Sequence, residues 1–112
     1  MNVQSASETM LVEDGVVQLA FDLSGSAAAY LIISKPQGDN RDEFFGADHY
    51  VEVKDQLYGR YGGLAGLAVL NDRAIALQLA DEVPEVGKEI SLTTSQPMSD
   101  QLLQYLRDLE RS

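Results

Sequence analysis

His49 is the only histidine of the chain, and it stands directly after Asp48 and three residues before Glu52. An imidazole oriented by a carboxylate is a recurrent proton-transfer pair, provided a pocket brings a substrate within reach. The same neighbours arise by chance in an acid-rich chain, where the histidine is a structural or surface group. A metal site built on His49 and nearby carboxylates lacks regular ligand spacing. Asp39, Asp42 and Glu43 could hold calcium weakly, but they do not follow the spacing of a calcium loop. The absence of cysteine removes thiolate chemistry, disulfides and cysteine metal ligands. No HExxH, P-loop or EF-hand pattern occurs. Gly59-Arg-Tyr-Gly-Gly63 lacks nucleotide-loop spacing and leads toward a strand, so Gly62-Gly63 reads as a tight turn needing positive φ. No catalytic residue, cofactor or metal is assigned on this basis.

The same stretch suits recognition better. Tyr50, Tyr58 and Tyr61 are three of the five tyrosines in the chain, gathered around Arg60 between two segments that read as strands. Tyrosine and arginine are favoured at interface centres because they combine contact area with directed hydrogen bonds. Asp48, Glu52 and Asp55 could meet basic groups of a partner. The candidate partner-binding set is therefore Asp48, His49, Glu52, Asp55, Tyr58, Arg60 and Tyr61.

The elements that must position this loop follow from hydrophobic periodicity. Residues 1–9 read as a loose leader. Met10-Leu-Val is a weak strand signal that stops at Asp14-Gly15. Val17, Leu19 and Phe21 alternate along the next strand, and Ala27 to Ser34 reads as a buried one. Lys35 to Glu43 is a loop punctuated by Pro36 and Gly38, with a short helical turn allowed over Asp42 to Ala47. In Tyr50 to Lys54, His49, Val51 and Val53 share one face. Leu64 to Ala80 predicts a hairpin around Asn71-Asp72-Arg73. A three-residue connection sets Ala65, Leu67 and Val69 on the same face as Ile75, Leu77 and Leu79. The opposite face carries Gly66, Ala68, Ala74 and Ala76. Asp81 to Lys88 is a charged connection, and Glu89 to Thr94 the last strand. The period then changes to that of a helix, with Ser99 as N-cap and Leu102, Leu103, Leu106 and Leu109 as its apolar stripe. The expected fold is one α+β domain: an antiparallel sheet of about five to six strands packed against a C-terminal amphipathic helix.

The formal charge of −10 over 112 residues argues against a nucleic-acid backbone binder, which needs a positive footprint. It suits a basic protein partner, and it equally serves solubility. The first 34 residues carry Glu8, Glu13, Asp14 and Asp22 but no Lys or Arg. No apolar run reaches the roughly 20 residues that span a bilayer, the helix lacks a basic polar face for membrane binding, and the N-terminus shows no secretory pattern. A cytoplasmic location fits these features.

From Ala29 to Ser112 the chain resembles the immunity protein 10 family of bacterial polymorphic toxin systems. The resemblance is carried by Tyr30-Leu-Ile-Ile, by Asp48-His-Tyr-Val-Glu-Val-Lys-Asp-Gln56, and by Tyr61-Gly-Gly63 ahead of the alternating hairpin. The closing Ile-x-Leu strand and leucine-striped helix extend it. It implies a small cytoplasmic antidote that binds a cognate toxin domain, such as a basic nuclease, and blocks it without a cofactor. The N-terminal portion up to about Ala28 lies outside the match. Two other readings stay open: a small enzyme or ligand-binding domain using His49 in a pocket, and a self-associating structural module. A homodimer through the alanine-rich sheet face or an unpaired edge strand belongs to the last.

Overall fold

The computed structural model describes residues 1–36 and 49–110. It is an α+β fold in which two sheets enclose one core and a single helix ends the described chain. β1 (Asn2–Ser5), β2 (Ser7–Glu13), β3 (Val16–Leu23), β4 (Ala29–Pro36) and β5 (Tyr50–Val53) are followed by a 3-10 turn at Gln56–Tyr58. Then come β6 (Arg60–Tyr61), β7 (Leu64–Asn71), β8 (Ala74–Val83), β9 (Gly87–Thr94) and α1 (Asp100–Glu110). One sheet runs β2-β3-β4-β5-β6 and the other β1-β9-β8-β7. The pairings are antiparallel except β1 with β9, which is parallel.

The two sheets share their flanks. Ala6 alone separates β1 from β2, and its N–H donates to the Asp22 carbonyl at 2.8 Å. Gly62-Gly63 separates β6 from β7 in the same way. At each place one extended segment leaves the edge of one sheet and joins the edge of the other. This explains why a single sheet of five or six strands becomes two sheets of five and four. Gly62 adopts φ of 66°, as a tight turn requires. A side chain at Gly63 would press on the Arg60 carbonyl and the Val51 side chain, at 3.1 and 3.2 Å from its Cβ.

Alternation sets the core. Val17, Leu19, Phe21 and Leu23 of β3, Leu31 and Ile33 of β4, and Val51 and Val53 of β5 are buried. They face Ile75, Leu77 and Leu79 of β8 and Ile90 and Leu92 of β9 within one cluster. The turn at Asp14-Gly15, with φ of 52° and 75°, suits the right-handed twist of the β2–β3 hairpin. The β7–β8 register pairs Leu67 with Leu77 and Val69 with Ile75, the large-with-large pairing expected. The turn itself is tighter than three residues. Asn71 pairs with Ala74, and the register shifts between Val69 and Asn71, leaving Leu70 exposed.

The helix begins where the sequence placed it. Ser99 Oγ accepts the Leu102 N–H at 3.2 Å, and Leu102, Leu103, Leu106 and Leu109 are buried. Tyr105 reaches across to donate to the Val17 carbonyl of β3 at 3.4 Å. Its burial, and secondarily the Asp108 charge, push the phenol well above the usual tyrosine range.

The N-terminus departs from expectation. Residues 1–9 are not a loose leader: Val3 and Ser5 are buried, and β1 pairs with Ser91 to Thr94 of β9. Only two positions of β1 face the core, so no long apolar alternation announces it. Its order comes from pairing with a strand at the far end of the chain, a constraint invisible locally. The short helical turn considered over Asp42 to Ala47 lies outside the described residues, as does the loop beyond Pro36. No described helix is long and apolar enough to cross a membrane.

Candidate functional site: the β5–β6 loop

The loop is built by local hydrogen bonds. β5 ends at Val53, and Lys54 takes a left-handed φ of 72° that turns the chain outward. The Asp55 carboxylate then caps the 3-10 turn, accepting the Leu57 N–H at 3.0 Å. The Tyr58 and Gly59 amides donate to the Asp55 and Gln56 carbonyls, each at 3.0 Å. Arg60 folds back on the same turn. Its Nη1 donates to the carbonyls of Leu57 at 3.1 Å and Gly59 at 2.8 Å, and its Nε lies 4.0 Å from the Asp81 carboxylate. Lys54 Nζ reaches the β8–β9 turn, donating to the Pro84 carbonyl at 3.0 Å with Glu85 3.7 Å away. It also sits 5.8 Å from the Tyr58 ring centroid. Tyr58 packs against the core.

The predicted residues therefore divide. Asp55, Arg60 and Tyr61 lie together on the exposed loop. Tyr58 is half-buried beneath it. Glu52 points to the outer face of the five-stranded sheet, where it binds two tyrosines. Asp48 lies outside the described residues. His49 stands at the start of β5, and its Nε2 accepts the Leu64 N–H at 3.0 Å. An imidazole nitrogen accepts only when unprotonated, which puts any ring hydrogen on Nδ1. The His49 carbonyl also accepts the Gly62 N–H at 2.7 Å, tying β5 to the Gly62-Gly63 corner.

A hollow of about 210 Å³ does open beside His49, lined by Leu64, Gly66, Leu67, Leu109 and Glu110 among others. Its one described carboxylate, Glu110, accepts the Val69 N–H at 2.6 Å. His49 and Glu110 thus serve the same purpose, each satisfying an N–H of β7. β7 is the last strand of its sheet, and these two side chains together with α1 close its outer edge.

Glu52 organises the tyrosine face. Its carboxylate accepts Tyr30 Oη at 2.5 Å and Tyr50 Oη at 2.7 Å. The Tyr50 and Tyr61 rings meet edge to face with centroids 5.1 Å apart. Gly59 leaves room for this: a Cβ there would lie 1.9 Å from Tyr50 Oη. Burial foremost, then the bond to Glu52, pushes the Tyr30 phenol up to about 12. For Tyr50 the bond to Glu52 comes first and burial second, also reaching about 12. A phenol raised above its unfolded value of about 10 adds stability that is complete below pH ~10 and lost as pH climbs through ~12. Titration followed by NMR of the tyrosine ζ-carbons is expected to place both near 12. Glu52→Gln is expected to lower Tyr50 more than Tyr30, because the carboxylate is the main cause only for Tyr50. Ordinary values near 10 for both in the unaltered chain would contradict the cluster.

Sequence reasoning missed Leu57. It is 72% exposed at the tip of the turn, while Tyr61 beside it is 57% exposed. A leucine next to Lys54, Asp55 and Gln56 with no periodic apolar partner was the available signal. Among the described residues no three of His, Cys, Asp and Glu gather to hold a metal. No protein-family model matches the chain, and no curated protein does either.

Proposed function

We propose that this chain is an immunity protein: a cytoplasmic antidote that binds a cognate toxin domain stoichiometrically and occludes its active surface. The observation that carries this reading is the β5–β6 loop. Leu57 and Tyr61 project from a turn whose polar groups are already bound within the chain. Apolar anchors on a pre-ordered loop lose little conformational entropy on binding. Asp55 on the loop, and Asp81, Glu82 and Glu85 beside its Tyr58, Arg60 and Lys54, are exposed carboxylates, and the formal charge of −10 extends that field. A basic toxin cleft, of the kind that holds phosphates in a nuclease, is the complementary surface. The resemblance of Asp48 to Gln56 and Tyr61 to Gly63 to the immunity protein 10 family falls on the same loop. The use of both His49 and Glu110 by β7 weighs against the enzyme reading.

Electrostatic steering makes a kinetic test. Replacing Asp55, Asp81 and Glu82 with their amides is expected to slow association with the toxin domain by about tenfold at low salt. The salt dependence of the association rate should flatten, while dissociation changes less. An unchanged rate across the salt series would remove these carboxylates from the encounter surface.

A further inference from the structure

We propose that β2 is a second docking edge, which accepts an extended, basic segment of a partner protein as an added strand. β2 and β6 are the two ends of the five-stranded sheet, so this edge lies on the flank opposite the Leu57–Tyr61 loop. β2 pairs with β3 through seven consecutive residue pairs without a bulge. Among the described residues no second strand lies on its other side. The remaining backbone row is the template that strand addition uses.

The treatment of the edges within this molecule differs. β7 has its outer N–H groups at Leu64 and Val69 taken by His49 and Glu110. β1 is carried directly into β2, with Ala6 bonded to Asp22. Ser7–Glu13 contains no proline, lysine or bulge, and its only charges are Glu8 and Glu13 near its two ends. Instead it leaves Leu11 49% and Val12 51% exposed, with Val16 exposed beside them across the hairpin. An added strand would cover both faces at once, Leu11 on the outer side and Val12 in line with Met10, which already packs against the core.

Charge chooses the occupant. Glu8, Glu13 and Asp14 flank this edge, and no Lys or Arg occurs before Lys35. An antiparallel pairing of two copies centred on Leu11 sets Glu8 of one opposite Asp14 of the other, which like-charge repulsion disfavours. A strand with lysine or arginine at its ends and β-branched residues between meets carboxylates at both ends and apolar groups in the middle. This gives the acidic N-terminal segment a use separate from the loop.

The experiment is hydrogen exchange of the full chain with a synthetic probe of about eight residues, alternating valine and threonine with lysine at both ends. Saturating probe is expected to slow exchange across Ser7–Glu13 by about tenfold or more, without changing α1. A glutamate-ended probe of the same core is expected to have no effect. Leu11→Lys, at an exposed position, should weaken the lysine-ended probe by about tenfold, and Glu8→Lys with Glu13→Lys should transfer the preference to the glutamate-ended one. Equal protection by both probes, protection confined to residues 54–61, or none at all would overturn the proposal. Protection of β2 in concentrated chain without probe would overturn it too, assigning the edge to a second copy. Each of these outcomes leaves toxin inhibition through the loop as a separate result.

Discussion

Replacing Leu57 and Tyr61 together with alanine is expected to weaken binding of the toxin domain by about 4 kcal/mol, close to a thousandfold loss of affinity. Each is an exposed apolar or aromatic group on an ordered turn, and truncated hot spots typically cost about 2 kcal/mol or more. Most of the change should appear as faster dissociation, because neither residue carries charge. The fold should survive. The Leu57 side chain is largely exposed, and the Tyr61 ring, also exposed, meets Tyr50 edge to face at the edge of the sheet. Calorimetry of the double variant against the unaltered chain checks this, with circular dichroism to confirm folding. Affinity within about threefold of the unaltered chain would move the binding face elsewhere.

Phe21→Ala is expected to destabilise the fold by about 3–5 kcal/mol. Phe21 is 1% exposed on β3, paired in register with Leu31. Both sheets bury their inner faces in the cluster that contains it. Removing the ring leaves a cavity that strands held by neighbours on both sides cannot easily collapse. A domain of this size has about 5–15 kcal/mol in all, so the loss is a large share of the total. Urea unfolding should show a lower midpoint at an unchanged slope. A shift below about 1 kcal/mol would mean that the two inner faces do not form one continuous core.

The sequence made legible what is decided locally. α1 was readable because Ser99 and the four leucines carry both its cap and its buried stripe. The β7–β8 register was readable because only one pairing sets Leu67 against Leu77. The bulge that leaves Leu70 exposed was not, since the same register is compatible with more than one turn. β1 was missed because its stability lies in parallel pairing with β9 at the other end of the chain. The division into two sheets depends on bends at Ala6 and Gly62-Gly63, which periodicity does not report.

The site was legible as a region more than as residues. The loop was placed correctly between β5 and β7, and Tyr61 is exposed on it. What spacing could not show is which polar groups the loop uses internally. Asp55 caps the turn, Arg60 binds two carbonyls, Glu52 holds two phenols and His49 supports β7. Those bonds fix the loop and leave Leu57 as its most exposed large apolar group.

The most direct test of the central claim starts with capture of partners from the native host, using this chain as bait. The captured toxin-like domain is then purified, and its activity is titrated with the chain. The immunity account predicts that activity falls linearly and ends at one chain per domain, with no turnover of any substrate by the chain itself. Full toxin activity in the presence of excess chain, or a captured set containing only the chain, would contradict it.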